Sequence, residues 1–339
     1  MKLDLHLMST DLRRIAAQAS AAEAAGFDGL WTAETGNDPF LPLVLAAEHT
    51  QRIMLGTAIA VAFARSPMTV AYTAWDLARL SQGRFVLGLG SQVKGHIERR
   101  YNMPWQPPAA RMREYVEALR AIFKSWREGG STLSYQGRFY RFSLMTPFFT
   151  PPAHQWSDIP IYIAGLNPRI TALAGELCQG FIVHTFHTPR YLREVVIPNL
   201  EAGLARAGRQ RSEIELVSGL FAITGDTERE RAAEREAVRR QIAFYASTRA
   251  YRPVLELHGW GEIALRLNQR AARGDWAGMA GEIGEEMLET FAISAPLEQI
   301  GQAIADRYGG LLDRVSFYHW EPDPTPRWAR AVAALKPAA

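Results

Sequence analysis

Apolar and polar positions along this chain follow two periods in turn, and the switch between them recurs at short intervals. Lys2 to Leu7 alternates every second residue and predicts a strand. Behind Asp11, a residue suited to capping, Ile15, Ala19, Ala22 and Ala25 recur at helical spacing until Gly26 breaks the pattern. Gly29 to Thr32 reads as strand two and Pro42 to His49 as the next helix. Residues 53–61, IMLGTAIAV, read as one unbroken, fully apolar strand three. Ser66-Pro67 then supplies an N-cap and an N1 proline for a helix to Ser81, and RFVLGLG, 84–90, is strand four.

The pattern continues with a long helix from Ala109 to Trp126 and a hairpin excursion in STLSYQGRFYRF, turned at Gln136-Gly137. Strand five follows at Ile159 to Ala164, a helix at Pro168 to Cys178, strand six at Phe181 to Val183 and a helix at Pro189 to Ala207. Glu215 to Ile223 is strand seven, a mostly helical insertion runs from about 225 to 287, and Val315 to Tyr318 is strand eight. Eight strands alternating with helices predict an α/β fold, a TIM (β/α)8 barrel forming a single domain over 1–339, with insertions after strands 4 and 7 at about 93–158 and 225–287. A doubly wound sheet is the alternative. Its dinucleotide fingerprint fails, because the third glycine after Gly88-Leu89-Gly90 would fall on Val93, and a P-loop fails because Gly95 is followed by His96.

Composition narrows the function classes. Of the 339 residues, 47% are hydrophobic and 22% charged, an ordinary globular balance, and no apolar run is long enough to span a bilayer. MKLDLHLMS lacks the apolar centre of a signal peptide, so a cytoplasmic protein is expected. The net charge of +3 comes from arginines interleaved with glutamates, as in Arg229 to Arg240, which argues against nucleic acid as a partner. The single cysteine, Cys178, sits among Leu173, Ala174 and Leu177 and reads as a buried, inert thiol.

In a TIM barrel the chemistry sits where strands end. The ends here offer His6, Glu34, Ala58, Gly88 to Gln92, Ala164-Gly165, His184 to His187 and His319. Four histidines without a His-x-His pair or supporting aspartates make a poor zinc site, so no metal is expected. Small apolar strand ends suit instead a flat aromatic ring lying against backbone, with a phosphate near Gly90, Ser91 and the following amides.

AAEAAGFDGLWTAE, RIMLGTAIAVAFARSP, DLARLSQGRFVLGLGSQ and PIYIAG resemble, in order and spacing, the bacterial luciferase-like superfamily over nearly the whole chain. TAETGNDPFLPLVLAAEHT and MPWQPPAARMREYVEALRAIF are most similar to its branch of oxidoreductases using coenzyme F420, a 5-deazaflavin. The resemblance implies a homodimer and a deazaflavin across the C-terminal barrel mouth. It also implies a non-proline cis peptide at Ala58-Ile59 as backstop, a grip from Gly90, Ser91 and Gln92, and a strand-five contact at Ala164 and Gly165. Lys94, Arg99 and Arg100 offer charge for an acidic cofactor tail or form a solvated loop. The implied chemistry is hydride transfer between the cofactor and a small organic substrate, with Glu34, His184 and His319 as the titratable candidates. Glu34, followed by Thr35 where sugar-phosphate dehydrogenases of the superfamily have His, serves either as a proton carrier or as partner of a neighbouring Arg or amide. Trp31, Trp105, Phe148 and Phe149 either line the substrate pocket or belong to the core. An FMN-dependent monooxygenase and a deazaflavin-binding protein without turnover are the alternatives.

Overall fold

The computed structural model describes residues 1–9, 11–130, 133–318 and 325–335. Among them, eight parallel strands close into a barrel: β1 (Lys2–Leu7), β2 (Gly29–Thr32), β3 (Met54–Thr57), β4 (Phe85–Gly90), β5 (Ile161–Gly165), β6 (Gly180–Val183), β7 (Glu215–Ile223) and β8 (Arg314–Phe317). Closure is made by β8 pairing with β1, Lys2 against Arg314, and with β7, Val217 against Arg314. No helix of the described chain is long and apolar enough to cross a membrane.

Alternation along the strands divides the core in two. Leu3, Leu5 and Leu7 of β1 face outward into the large cluster shared with the surrounding helices, whereas Trp31, Val86, Tyr162 and Val217 form a separate plug inside the barrel. Below the plug lies a buried ionic layer. Arg314 makes two bonds to Asp4, Nε at 2.8 Å and Nη2 at 2.7 Å, and Trp31 Nε1 donates to the same carboxylate at 2.8 Å. Both charged side chains are almost wholly shielded, so their pairing is what makes burial tolerable.

The outer helices follow from local signals. Asp11 accepts from Arg13 N–H and starts a 3-10 turn that runs into α1 (Ile15–Ala24). α2 (Leu41–Glu48) follows β2, and α3 (Pro67–Leu80) is capped by Ser66, whose hydroxyl accepts from Met68 N–H. After β4 come a short helix, Lys94–Arg99, then α4 (Pro108–Arg127) and the hairpin Tyr135–Gln136 with Arg141–Phe142. The helix expected at Pro189 to Ala207 is divided by a π-helical stretch, Leu192–Val196. In the insertion after β7, α5 (Glu228–Ala246) opens with a Thr227–Glu230 capping box. The sequence pattern did not reveal the strand Ala292–Ser294, which pairs in parallel with the end of β7, or the helix Ile300–Tyr308.

One expected strand is broken. Residues 53–61 are not continuous: β3 ends at Thr57, and Ala60–Val61 pairs separately with β4. Between them the Ala58–Ile59 peptide is cis.

Replacing Arg314 by Met leaves Asp4 buried without its counter-charge. Urea titration is expected to show a loss of about 3–5 kcal/mol, with a smaller loss when Asp4→Leu accompanies it; equal losses would mean that the pair does not hold the barrel closed.

Candidate active site

The C-terminal mouth of the barrel is organised around Glu34, two residues past β2. Its backbone N–H donates to Ile59 O at 3.1 Å. One carboxylate oxygen accepts from Val61 N–H at 2.7 Å and from Arg65 Nη1 at 2.5 Å, and the other accepts from the Tyr101 hydroxyl at 2.8 Å. Arg65 also bonds Asp38 at 2.9 Å. Burial works against the Arg65 charge, yet Glu34 and Asp38 hold its pKa above the ordinary value. Burial and Glu34 push Tyr101 up to about 12, so its hydroxyl stays a donor. The carboxylate therefore fixes the break in β3 and ties it to the loop preceding α4. Both oxygens are engaged and only 6% of the side chain is exposed.

Small residues form the surface that this clamp presents. Ala58 and Ile182 pack on the interior plug and cap it. At Gly90 a Cβ would stand 2.7 Å from the Ile59 side chain, so glycine is needed for strand β4 to lie against the backstop. Gly90 pairs with Val61, and Ala164 and Gly165 are half-buried at the end of β5. Gln92 takes a left-handed backbone, φ 57°, and its side chain accepts from Val93 N–H at 2.9 Å, while the Ser91 hydroxyl bonds Gln92 O. Thus Ala58, Ile59, Gly90, Ala164 and Gly165 share one rim of the mouth, with Ser91 and Gln92 leading outward from it. Arg100 is spent on Thr35 O and on the face of Tyr101.

Across the mouth, at the end of β6, His184 accepts from Phe186 N–H through Nδ1 at 3.1 Å, which places the ring proton on Nε2. Burial and neighbouring His187 push its pKa down to about 3, so it is a neutral donor at physiological pH. His187, another of the strand-end histidines, is buried with Nδ1 against His184 O at 3.1 Å. His319 lies outside the described residues.

One strand-end candidate stands apart from these contacts, and one further group escaped sequence reasoning. His6 follows Asp4 on the inward face of β1; burial alone lowers it to about 4, and its ring makes no hydrogen bond among the described residues. Ser316, on the inward face of β8, is 1% exposed, and its hydroxyl has no partner among the described residues. Beside it Gly219 is half-buried, and a Cβ there would meet Thr185 Oγ1 at 3.1 Å and the Ser316 hydroxyl at 3.5 Å. A lone serine in a strand carries no sequence signal.

The aromatic candidates separate. Trp31 is core, bonded to Asp4 beneath the mouth, and Trp105 packs edge-on to Phe63. Phe148 and Phe149 are 89% and 62% exposed on a loop held to α3 by Tyr72, so they do not line the mouth. Burial drives the Cys178 thiol up to about 12, as suits an inert packing residue. Among the described residues, no three His, Cys, Asp or Glu side chains converge to hold a metal ion.

A closed parallel barrel whose strand ends form a small-residue mouth defines a class of α/β enzymes that place ligands at this face. Within that class, the profile of the luciferase-like monooxygenase family matches residues 2–314, and the chain belongs to this family. It is 48% identical over 315 residues to an uncharacterized protein of Mycobacterium tuberculosis (strain H37Rv), covering 93% of this chain and 92% of that one. It is 32% identical over 290 residues to the 5,10-methylenetetrahydromethanopterin reductase of Archaeoglobus fulgidus, covering 84% and 82%. The solved coenzyme F420 dependent tetrahydromethanopterin reductase from Methanopyrus kandleri superposes with a TM-score of 0.79 at 23% identity, covering 98% and 97%, and shares the fold.

The depressed histidines make stability pH-dependent. Their folded pKa values lie below the unfolded value of about 6.5, so the stabilisation is full above that pH and is lost as pH falls toward 4. Each contributes at most about 1.4 kcal/mol per pH unit, with His187 the most enclosed. Urea midpoints should fall steadily between pH 6.5 and 4.5, and less steeply in His187→Asn; a flat profile contradicts the burial of these rings.

Proposed function

We propose that this chain is a coenzyme F420-dependent oxidoreductase that moves a hydride between the deazaflavin and a small organic substrate. The observation that carries the reading is the rim itself: Ile59 packed on Gly90, with Ala58 capping the interior plug, is a thin apolar surface suited to a flat ring. The orphaned Ser316 hydroxyl across the barrel gives the polar edge of a substrate beside that ring an unfilled partner. The residues present thus fit such a group. When bound, the deazaflavin supplies two-electron hydride chemistry.

The chain's own residues divide the remaining work. Ala58, Ile59, Ala164 and Gly165 would hold the ring, and Gly90, Ser91 and Gln92 its phosphate side. Glu34 keeps the backstop in place. His184, with its proton fixed on Nε2, points a neutral donor at an oxygen that gains charge on the substrate, the role that stabilises such charge without a proton having first to be released. His319 remains the candidate from β8. We place the protein in the cytoplasm, as a homodimer.

Equilibrium titration with coenzyme F420 and with FMN, followed by cofactor fluorescence, tests the reading. F420 is expected to bind at least about tenfold tighter than FMN, since each tenfold is about 1.4 kcal/mol of added contact. Gly90→Ala is expected to weaken F420 by a similar factor through its overlap with Ile59. Preference for FMN with oxygen consumption would instead make the protein a monooxygenase, and tight F420 binding without turnover on carbonyl and alcohol panels would make it a carrier.

A further inference from the structure

The inserted α5 and the turn after it deliver an aromatic wall to the side of the mouth that faces Glu34 across the barrel. β2 and β6 are four strands apart in a ring of eight. Tyr245, near the end of α5, sets its hydroxyl 2.6 Å from that of Tyr318, the residue after β8. Tyr251 stacks on His184, centroids 4.3 Å apart at 30°, and Tyr245 meets the same ring edge-on at 4.7 Å. Arg314 and Ser316 face inward on β8, so Tyr318 continues the inward row above the unpartnered Ser316 hydroxyl and its cross-strand neighbour Gly219.

The chemistry of this wall is uniformly uncharged. Burial raises the pKa values of Tyr245 and Tyr318, and Tyr251 is also raised, so all three stay protonated. His184 is neutral. The Glu34 and Arg65 charges are paired with each other on the far rim. An anion bound here would lose hydration without meeting a counter-charge. A cation would need an open aromatic face, and the stacking of Tyr251 on His184 closes the faces between them. What remains is directional: phenol and serine hydroxyls, and aromatic edges.

We infer that this wall is the substrate subsite of the mouth, and that it takes an uncharged planar molecule carrying a carbonyl or hydroxyl oxygen, bonded by the Tyr245–Tyr318 hydroxyl pair and Ser316. The inference rests on the mouth being the deazaflavin site proposed above. Within that site it assigns Tyr245, contributed by the insertion and not by the barrel, as the residue that sets specificity.

The test is binding, with three probes of one shape and different charge: benzamide, benzoate and benzamidine. Their dissociation constants are measured by saturation-transfer NMR on the full-length protein, with and without F420, for the parent chain, Tyr245→Phe and Ser316→Ala. Benzamide is expected to bind at least about tenfold tighter than either ion. Each substitution is expected to weaken benzamide at least about threefold while leaving the melting temperature and the F420 dissociation constant unchanged. Equal or tighter binding of benzoate or benzamidine, or no response in either variant, overturns the inference. Should Tyr245→Phe fail to fold, Ser316→Ala decides alone. Should F420 not bind while benzamide binding still responds to these substitutions, the cofactor reading fails and the subsite stands; the reverse pattern keeps the cofactor and removes the subsite.

Discussion

The mouth of this barrel depends on one carboxylate. A β strand that stops after Thr57 leaves the Ile59 carbonyl and the Val61 N–H to find partners outside the regular ladder. Glu34 supplies them from the neighbouring strand end, through its own amide to Ile59 O and its side chain to Val61 N–H. The same side chain then neutralises Arg65 and engages Tyr101, so strand break, helix approach and the loop before α4 are set by a single residue. Such a partly buried, fully bonded charge is costly to disturb, because removing it strands the arginine and an amide together.

From that constraint the two sides of the mouth acquire different characters. The side that Glu34 holds is thin and apolar, with Ala58, Ile59 and Gly90 brought close by the absence of a side chain at Gly90. The other side is polar but uncharged, and much of it is built by residues of the insertion after β7 folding back over β6 and β8. Beneath both, the Trp31, Val86, Tyr162 and Val217 plug fills the barrel, and the Asp4–Arg314 pair closes it. The barrel therefore fixes the first side, while the insertion sets the second. This division fits a family in which one scaffold serves many substrates.

Much of the architecture could be read from the chain. β2 and β7 fall where the pattern puts them, because glycine and charged punctuation mark their ends, and the Ser66 cap marks α3. The break in β3 was not visible in its apolar run alone: it depends on a carboxylate that lies 27 residues from Val61 in sequence. The cis peptide at Ala58–Ile59 followed only from family resemblance. Tyr245 was hidden for the opposite reason, since it ends a helix so rich in Arg and Glu that the segment reads as surface. Phe148 and Phe149 misled because apolar character does not say which way a loop faces, and here it faces solvent. Glu34 was visible as a strand-end acid, but its bonds to Val61, Arg65 and Tyr101 are contacts that no spacing rule predicts.

The most direct test of the account is a crystal structure of the protein grown with coenzyme F420. The account predicts electron density for the deazaflavin ring in van der Waals contact with Ala58 and Ile59, with the Glu34 bonds to Val61 and Arg65 unchanged. Density for the ring elsewhere on the barrel, or a Glu34 side chain released from Arg65 to meet the ligand, would contradict it.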